Sequence, residues 1–324
     1  MHILIIGADG MIGTKLARSL LEDPPAGLAR LTAADVVAPD LDAGIGVELE
    51  TVALDIADAE GVAARIAARP DVIFHLAAVV SGEAEADFEK GYAVNFDGTR
   101  NILEAVRAEE GFCPRLVFAS SIAVFGAPFP DPIPDDFPLT PLTSYGTQKA
   151  MGELMLADYS RRGFLDGIGL RLPTICVRPG APNRAASGFF SGIIREPLAG
   201  REAVLPVDEE VRHWHASPRA AVGFLRHAME LDTKPLGARR SLTMPGVSVT
   251  VGEQIAALRR VAGDAAVELI RREPDPTIAR IVAGWPTCFD AGRSLELGFR
   301  ADASFDAIVA AHVEDELDGR IAVT

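Results

Sequence analysis

The stretch H-I-L-I-I-G-A-D-G-M-I-G, residues 2–13, decides the fold. His2 to Ile6 is a short apolar run of the kind buried on both faces of a parallel sheet. It runs straight into Gly7, Gly10 and Gly13, and an amphipathic helix bearing Leu16, Leu20 and Leu21 follows. Strand, glycine turn and helix start together make an anion cradle. Glycine lets the backbone approach a phosphate, and a helix N-terminus offers unpaired N–H groups with partial positive charge. Gly7, Gly10, Met11, Ile12 and Gly13 are the candidate cradle residues. The spacing is G-x-x-G-x-x-G, with Asp9 where the strict dinucleotide fingerprint has its second glycine. A purely structural turn is the competing reading.

Outward from this unit the pattern repeats. The run Leu31 to Val37 carries Asp35 about twenty residues beyond the glycines, where an acid can accept from a ribose diol and repel a 2′-phosphate. No Arg or Lys immediately follows it, which favours NAD over NADP; a capping Asp is the alternative. A third apolar run, Val47 to Leu54, ends at Asp55-Ile56, and a helix from Ala59 to Ala68 stops at Arg69-Pro70. The fourth strand, Val72 to Leu76, enters H-L-A-A, where the small residues after Leu76, Ala77 and Ala78, leave room for a cofactor; His75 reads as a core histidine. A helix from Tyr92 to Glu110 carries Asn95, the fifth strand (Arg115 to Ala119) leads into Ser120-Ser121, and the sixth covers Ile168 to Leu172. This rhythm predicts an α/β fold, a doubly wound parallel Rossmann sheet, with ligands at the carboxyl ends of its strands.

From Pro173 the texture turns to loop formers, P-T-I-C-V-R-P-G-A-P-N-R, as for a chain leaving the sheet. The expected division is a nucleotide-binding domain over 1–172, with 212–250 returning to it. A smaller interleaved substrate-binding lobe is expected over 173–211 and 251–324. Ser241 to Val249 reads as one late strand, and Thr250 with Glu253 as a capping box for the helix after it.

The second informative stretch is Y-G-T-Q-K, Tyr145 to Lys149. Tyr and Lys four residues apart share one helix face. A unit positive charge at ~4 Å, in an effective dielectric of ~20, is worth about 4 kcal/mol, or roughly three pKa units. Tyr145 is then expected to serve as a general base near neutrality. YxxxK alone also occurs in ordinary surface helices.

Composition bounds the function. A net charge of −15 argues against a nucleic-acid partner. Cys113, Cys176 and Cys288 are odd in number and widely spaced, fitting a reducing compartment with neither a disulfide framework nor a metal site. No apolar run approaches the ~18 residues of a membrane span, and the N-terminus lacks the basic start of a signal peptide, so a cytoplasmic protein is expected.

The ordered set G-x-x-G-x-x-G, Asp35, H-L-A-A, V-N-F-D-G-T, S-S-I-A-V-F-G, YxxxK and R-L-P-T resembles the extended short-chain dehydrogenase/reductase superfamily over nearly the whole chain. The resemblance implies NAD as cofactor and Tyr145, Lys149, Ser121 and Asn95 as the catalytic set, with Ser120 the lesser candidate hydroxyl. It also implies cofactor contacts at Asp55, Ile56, Leu76, Ala77, Ala78, Pro173 and Ile175. Within the superfamily, residues 171–198 resemble members that oxidise a four-carbon sugar acid at C2. A small sugar-acid substrate would meet Ser81 and Gly82, with its carboxylate on Arg178, Arg184, Arg212 or His213, each of which has a structural ion-pair or core role as its alternative. R-H-W-H-A-S-P-R, residues 212–219, departs from the nucleotide-sugar epimerase pattern, which remains the alternative reading. In many relatives the helices over Tyr92–Glu110 and Gly146–Ser160 pair across a homodimer.

Overall fold

The computed structural model describes residues 1–180 and 186–322. The chain divides into two compact units: Met1–Val124, Pro141–Leu172 and Val222–Thr243 form the first, and Phe125–Thr140, Pro173–Ala221 and Met244–Thr324 the second.

The first unit is built on strands β1 (His2–Ile6), β2 (Arg30–Asp35), β3 (Glu48–Ala53), β4 (Val72–His75), β5 (Arg115–Ser121), β6 (Asp166–Leu172) and, after an excursion through the second unit, β10 (Ser241–Thr243). They form one sheet in the order β10-β6-β5-β4-β1-β2-β3, every pairing parallel. Strand order reverses between β1 and β4, the switch point at which such sheets open a crevice. Residues Ile3 to Ile6 are at most 1% exposed, which is why β1 reads as a continuous apolar run. The outer β3 instead alternates Glu48 and Glu50 with apolar residues, and Glu50 pairs with Arg30 and Arg65, so the third run is a half-exposed edge strand. Helices α1 (Met11–Glu22), α2 (Ala59–Ile66), α3 (Ser81–Ala86), α4 (Phe88–Gly91), α5 (Thr99–Ala108) and α6 (Ser144–Arg161) fill the connections. Between α4 and α5 the chain makes a π-helical turn, Tyr92–Gly98, where one uniform helix is expected. Leu103, Val106, Leu116, Phe118 and Leu156 belong to the apolar cluster of this unit.

The second unit carries a three-stranded sheet, in which β9 (Arg212–Ala216) lies between β7 (Thr174–Ile175), parallel, and β11 (Val247–Thr250), antiparallel. A parallel pair, β8 (Ala203–Leu205) with β12 (Ile270–Arg272), stands beside it in sequence. Helices α7 (Gly188–Leu198), α9 (Val251–Glu268) and α12 (Phe305–Leu317) supply Phe190, Ile194, Leu258 and Ile308 to its core. Thr250 and Glu253 do form the expected capping box at the start of α9.

These boundaries differ from the expected ones in three places, 125–140, 212–221 and 244–250. Phe125–Thr140 belongs to the second unit: the Ile133 N–H donates to Cys288 O, Asp290 N–H to Ile133 O, and Asp135 pairs with Arg293 at 3.0 Å. Arg212–Ala221 does not return to the large sheet either, because β9 spends its backbone hydrogen bonds on β7 and β11. The expected single strand over Ser241–Val249 is two strands in two sheets, broken at Pro245-Gly246. Proline removes a ladder donor, and a Cβ on Gly246 would fall 2.7 Å from His215 O.

Candidate active site

Four strand ends of the first unit carry the predicted groups: Ile6 before the glycine loop, Asp35, His75 and Ser121. In the loop, Gly7 has φ +95°, and a Cβ there would lie 2.4 Å from Ala77 N. At Gly13 it would lie 2.0 Å from Gly7 O. Both glycines are demanded by close backbone packing. Gly10 differs: it has an extended φ of −69°, stands as the N-cap of α1, and a Cβ there would meet only Gly7 O, at 3.4 Å. Met11 and Ile12, half-buried, follow it in the first turn, whose N–H groups have no intrahelical partners. Open space before a bare helix start fits a phosphate.

Asp35 shapes the same loop, its Oδ2 accepting from Asp9 N–H at 2.9 Å and its Oδ1 from Val36 N–H at 2.7 Å. An ionised carboxylate has about four lone-pair positions, so acceptors remain for a ribose diol. The Asp55 carboxylate accepts from Ala57 N–H at 2.9 Å, while Ile56, 3% exposed, commits its side chain to the apolar cluster. Leu76, Ala77 and Ala78 are half-buried, with Leu76 and Ala77 N–H both donating to Ile6 O. This unit thus offers a bare helix start, carboxylate acceptors and small residues at a strand end.

Asn95 sits in the π turn, 2% exposed. Its Oδ1 accepts from Val79 N–H at 2.8 Å, and its Nδ2 donates to Val79 O at 3.0 Å and Gln148 Oε1 at 2.7 Å. Asn95 therefore ties the segment after β4 to helix α6, an arrangement in keeping with the association of π turns with functional sites. Ser81, half-buried, opens α3 just beyond that segment, with Gly82 next to it.

Tyr145 is the second residue of α6, whose N-cap Thr143 accepts from Gly146 N–H at 3.1 Å. Ser121 Oγ accepts from Ala123 N–H at 3.1 Å and stands beside the Tyr145 hydroxyl, where it favours the ionised phenol. Lys149 is 3% exposed; its Nζ donates to Ala119 O at 2.8 Å and lies 4.8 Å from the Phe118 ring centroid. Here the expected electrostatics need correcting. The Lys149 ammonium is directed at the Ala119 carbonyl and lies 5.8 Å from the Tyr145 ring centroid, and burial pushes the phenol up to about 12, with Ser121 opposing the rise. Tyr145 retains partial exposure, so water offsets some of that penalty. The resting phenol is neutral. Burial takes the Lys149 ammonium down to about 8, with the Glu153 carboxylate opposing the fall.

His75 is a core histidine, as expected: 1% exposed, held down to about 3 by burial and by Lys149, and 2.8 Å from Thr99 Oγ1. Glu153 and Arg171, a buried pair at 2.8 Å, and Gln148 were not singled out from the sequence. The available signal was spacing: Glu153 is four residues beyond Lys149 and eight beyond Tyr145, on one helix face.

Most remaining candidates lie in the second unit. Pro173 is buried and Ile175 half-buried, flanking and ending β7. Arg212 does not present an uncommitted guanidinium: exposed at the start of β9, it donates to Ser248 O at 3.0 Å and pairs with Glu253 at 3.3 Å. His213 is 3% exposed and stacks on Phe190 with ring centroids 5.2 Å apart. Its Nδ1 faces Pro286 O at 2.9 Å and its Nε2 faces Thr174 Oγ1 at 2.6 Å. A carbonyl only accepts, so Nδ1 carries the proton and the Thr174 hydroxyl donates to Nε2. With burial pushing it down to about 4, His213 is neutral and cannot supply a cation. Arg178 donates its backbone N–H to Ser191 Oγ at 2.9 Å, and among the described residues its guanidinium holds no ion pair. Arg184 lies outside the described residues.

The chain is similar to known proteins along nearly its whole length. The model of the NAD dependent epimerase/dehydratase family matches residues 3–226. D-erythronate dehydrogenase of Cupriavidus necator is 49% identical over 323 residues, covering 97% of this chain and 98% of that protein. D-erythronate dehydrogenase of Haemophilus influenzae is 43% identical over 317 residues, covering 98% and 100%. A solved structure described as the nucleoside-diphosphate-sugar epimerase from Agrobacterium tumefaciens superposes with a TM-score of 0.96 at 59% identity, covering 98% of this chain and 95% of that one.

Proposed function

The chain belongs to the NAD dependent epimerase/dehydratase family, and from that premise we propose that it is an NAD-dependent dehydrogenase oxidising D-erythronate to 2-dehydro-D-erythronate. The observation that carries the reaction type is Ser121 beside the Tyr145 hydroxyl, with buried Lys149 one turn further along the same helix. The full-length likeness to two D-erythronate dehydrogenases supports the substrate.

Bound NAD supplies the hydride acceptor and a positive charge. The chain's own groups do the rest. The glycine loop and α1 hold the pyrophosphate, and Asp35 accepts from the adenosine ribose. Ser121 orients the C2 hydroxyl and stabilises its developing charge. Tyr145 takes the hydroxyl proton as the C2–H bond breaks, leaving a 2-keto acid. Since the resting phenol is neutral, Tyr145 must release its own proton to solvent water, which its partial exposure admits, before it accepts the substrate's, and the Lys149 cation favours that release. Asn95 holds the segment after β4 and, through Gln148, the helix that carries both. Pro173 and Ile175 line the nicotinamide, and Ser81 meets a substrate hydroxyl. For the carboxylate, Arg178 is favoured over Arg212 and His213, which are otherwise engaged.

The name borne by the Agrobacterium structure supports a second reading, a nucleoside-diphosphate-sugar epimerase. One mixture separates the two: purified protein, NAD, and in turn D-erythronate, L-threonate, D-threonate, UDP-glucose and UDP-galactose. Sustained NADH accumulation with D-erythronate is expected. Conversion of a UDP-sugar without net NADH, and silence on every acid, would replace the dehydrogenase with the epimerase.

A cytoplasmic homodimer is part of the same proposal. Exposed Phe88 on α4 (59%) and Leu154 on α6 (64%) support an interface along these helices. A monomer in sedimentation at micromolar concentration would refute it. Among the described residues no helix is long and apolar enough to cross a membrane.

A further inference from the structure

Behind Lys149 lies a charge cluster that the reaction described above does not use. Glu153, 3% exposed, follows Lys149 by one helical turn on the same face of α6. Its Oε1 accepts from Ser120 Oγ at 2.5 Å and from Arg171 Nε at 3.0 Å, and its Oε2 accepts from the Arg171 terminal nitrogen at 2.8 Å. Ser120 and Arg171 are register partners across β5 and β6, so two strands grip one carboxylate from the sheet side. A buried ion pair is a poor stabiliser, since well-packed apolar residues of similar volume often serve as well or better. Stability alone therefore gives little reason for this arrangement. Its neighbour does.

We propose that Glu153, clamped by Arg171 and Ser120, is a positioning residue: a fixed buried counter-charge that keeps the Lys149 ammonium charged and seated on the Ala119 carbonyl. The groups facing Lys149 are Tyr145 and Glu153 from its own helix, His75 from β4, and the Ala119 carbonyl and Phe118 ring from β5; Arg171 on β6 stands behind Glu153. His75 is neutral and cannot hold the ammonium. Glu153 is thus the only anion in this set, and without it burial would neutralise the lysine at lower pH. The inference rests on the reading of Lys149 as the cation of hydride transfer.

The chain has four lysines, Lys15, Lys90, Lys149 and Lys234, so a lysine-selective NMR titration of the protein without cofactor resolves Lys149 directly. Glu153→Gln should lower its midpoint by about one pH unit or more, and the alkaline limb of kcat/KM should move with it. The double variant Glu153→Met with Arg171→Met leaves no stranded charge and should show the same shift in a folded protein. Ser120→Ala keeps the carboxylate and should leave the midpoint nearly in place. A double variant with the wild-type midpoint and limb would overturn the proposal, as would a double variant that fails to fold, since the pair would then belong to the scaffold. Should Tyr145→Phe prove fully active, the Tyr145–Lys149 chemistry falls, yet the titration still reports whether Glu153 governs Lys149.

Discussion

Two alanine substitutions in one loop separate what the backbone needs from what a cofactor needs. At Gly7 the backbone has φ +95°, and an added Cβ falls 2.4 Å from Ala77 N and 2.7 Å from Leu76 C, all main chain that cannot rotate away. The left-handed strain alone costs of order 1–3 kcal/mol, and the overlap adds to it. Gly7→Ala should unfold or strongly destabilise the first unit. At Gly10 the backbone has φ −69° and ψ 156°, and the added Cβ meets only Gly7 O, at 3.4 Å. Alanine at an N-cap costs about 0.5–1 kcal/mol against glycine. The stiffer unfolded chain returns about 0.4–1 kcal/mol. The net is close to zero, so the melting temperature of Gly10→Ala should stay within about 2 °C of wild type. The new methyl nevertheless occupies the space before the start of α1, where the proposed function puts the pyrophosphate. NAD titrated by NADH fluorescence should bind at least about tenfold more weakly, a loss of ~1.4 kcal/mol. Wild-type NAD affinity in a folded Gly10→Ala protein would refute the cradle.

Three further outcomes are expected. Tyr145→Phe should lose turnover by about 10²–10⁴, the usual worth of general acid–base catalysis, with NAD binding unchanged; near-normal turnover would end the proposed chemistry. Arg178→Ala should raise the KM for D-erythronate by about tenfold or more, while Arg212→Ala, already paired with Glu253, changes it by less than about threefold; the reverse order would return Arg212 to the pocket. Stability should fall in acid. His213 and His75 are held by burial to about 4 and about 3, below their ordinary 6.5, so the unfolded chain takes up protons first. Their contribution is complete above pH 6.5 and is lost toward the folded values, at about 1.4 kcal/mol per pH unit for each. Urea unfolding at about pH 7.5 and about pH 5 checks this, and equal free energies would exclude it.

The sheet was legible because its signals are local. A fully buried parallel strand is apolar throughout, and a glycine that cannot carry a Cβ has no substitute, so β1 and the loop after it announce themselves. Tyr145 and Lys149 share a helix face by spacing alone. What spacing does not report is where a long side chain ends. Lys149 turns to the Ala119 carbonyl, and burial rather than charge dominates Tyr145. The break at Pro245-Gly246 was present as a turn signal inside an otherwise strand-like run, and it marks the crossing from one sheet to another.

Arg212 shows why carboxylate pockets resist sequence reading. The Glu253 carboxylate is visible in the sequence as one half of a capping box, and it does accept from Thr250 N–H at 2.6 Å. Thr250 is also the register partner of Arg212 across β11 and β9, so the same carboxylate reaches the guanidinium. The capping box is a contact over three residues and can be read along the chain. The ion pair spans forty-one positions and exists only once β9 and β11 have paired. A cation's availability to a ligand is thus settled by strand register, a long-range property. The Tyr145–Lys149–Glu153 row is settled by helical period, a local one, and its roles are therefore the firmer ground for the first substitutions.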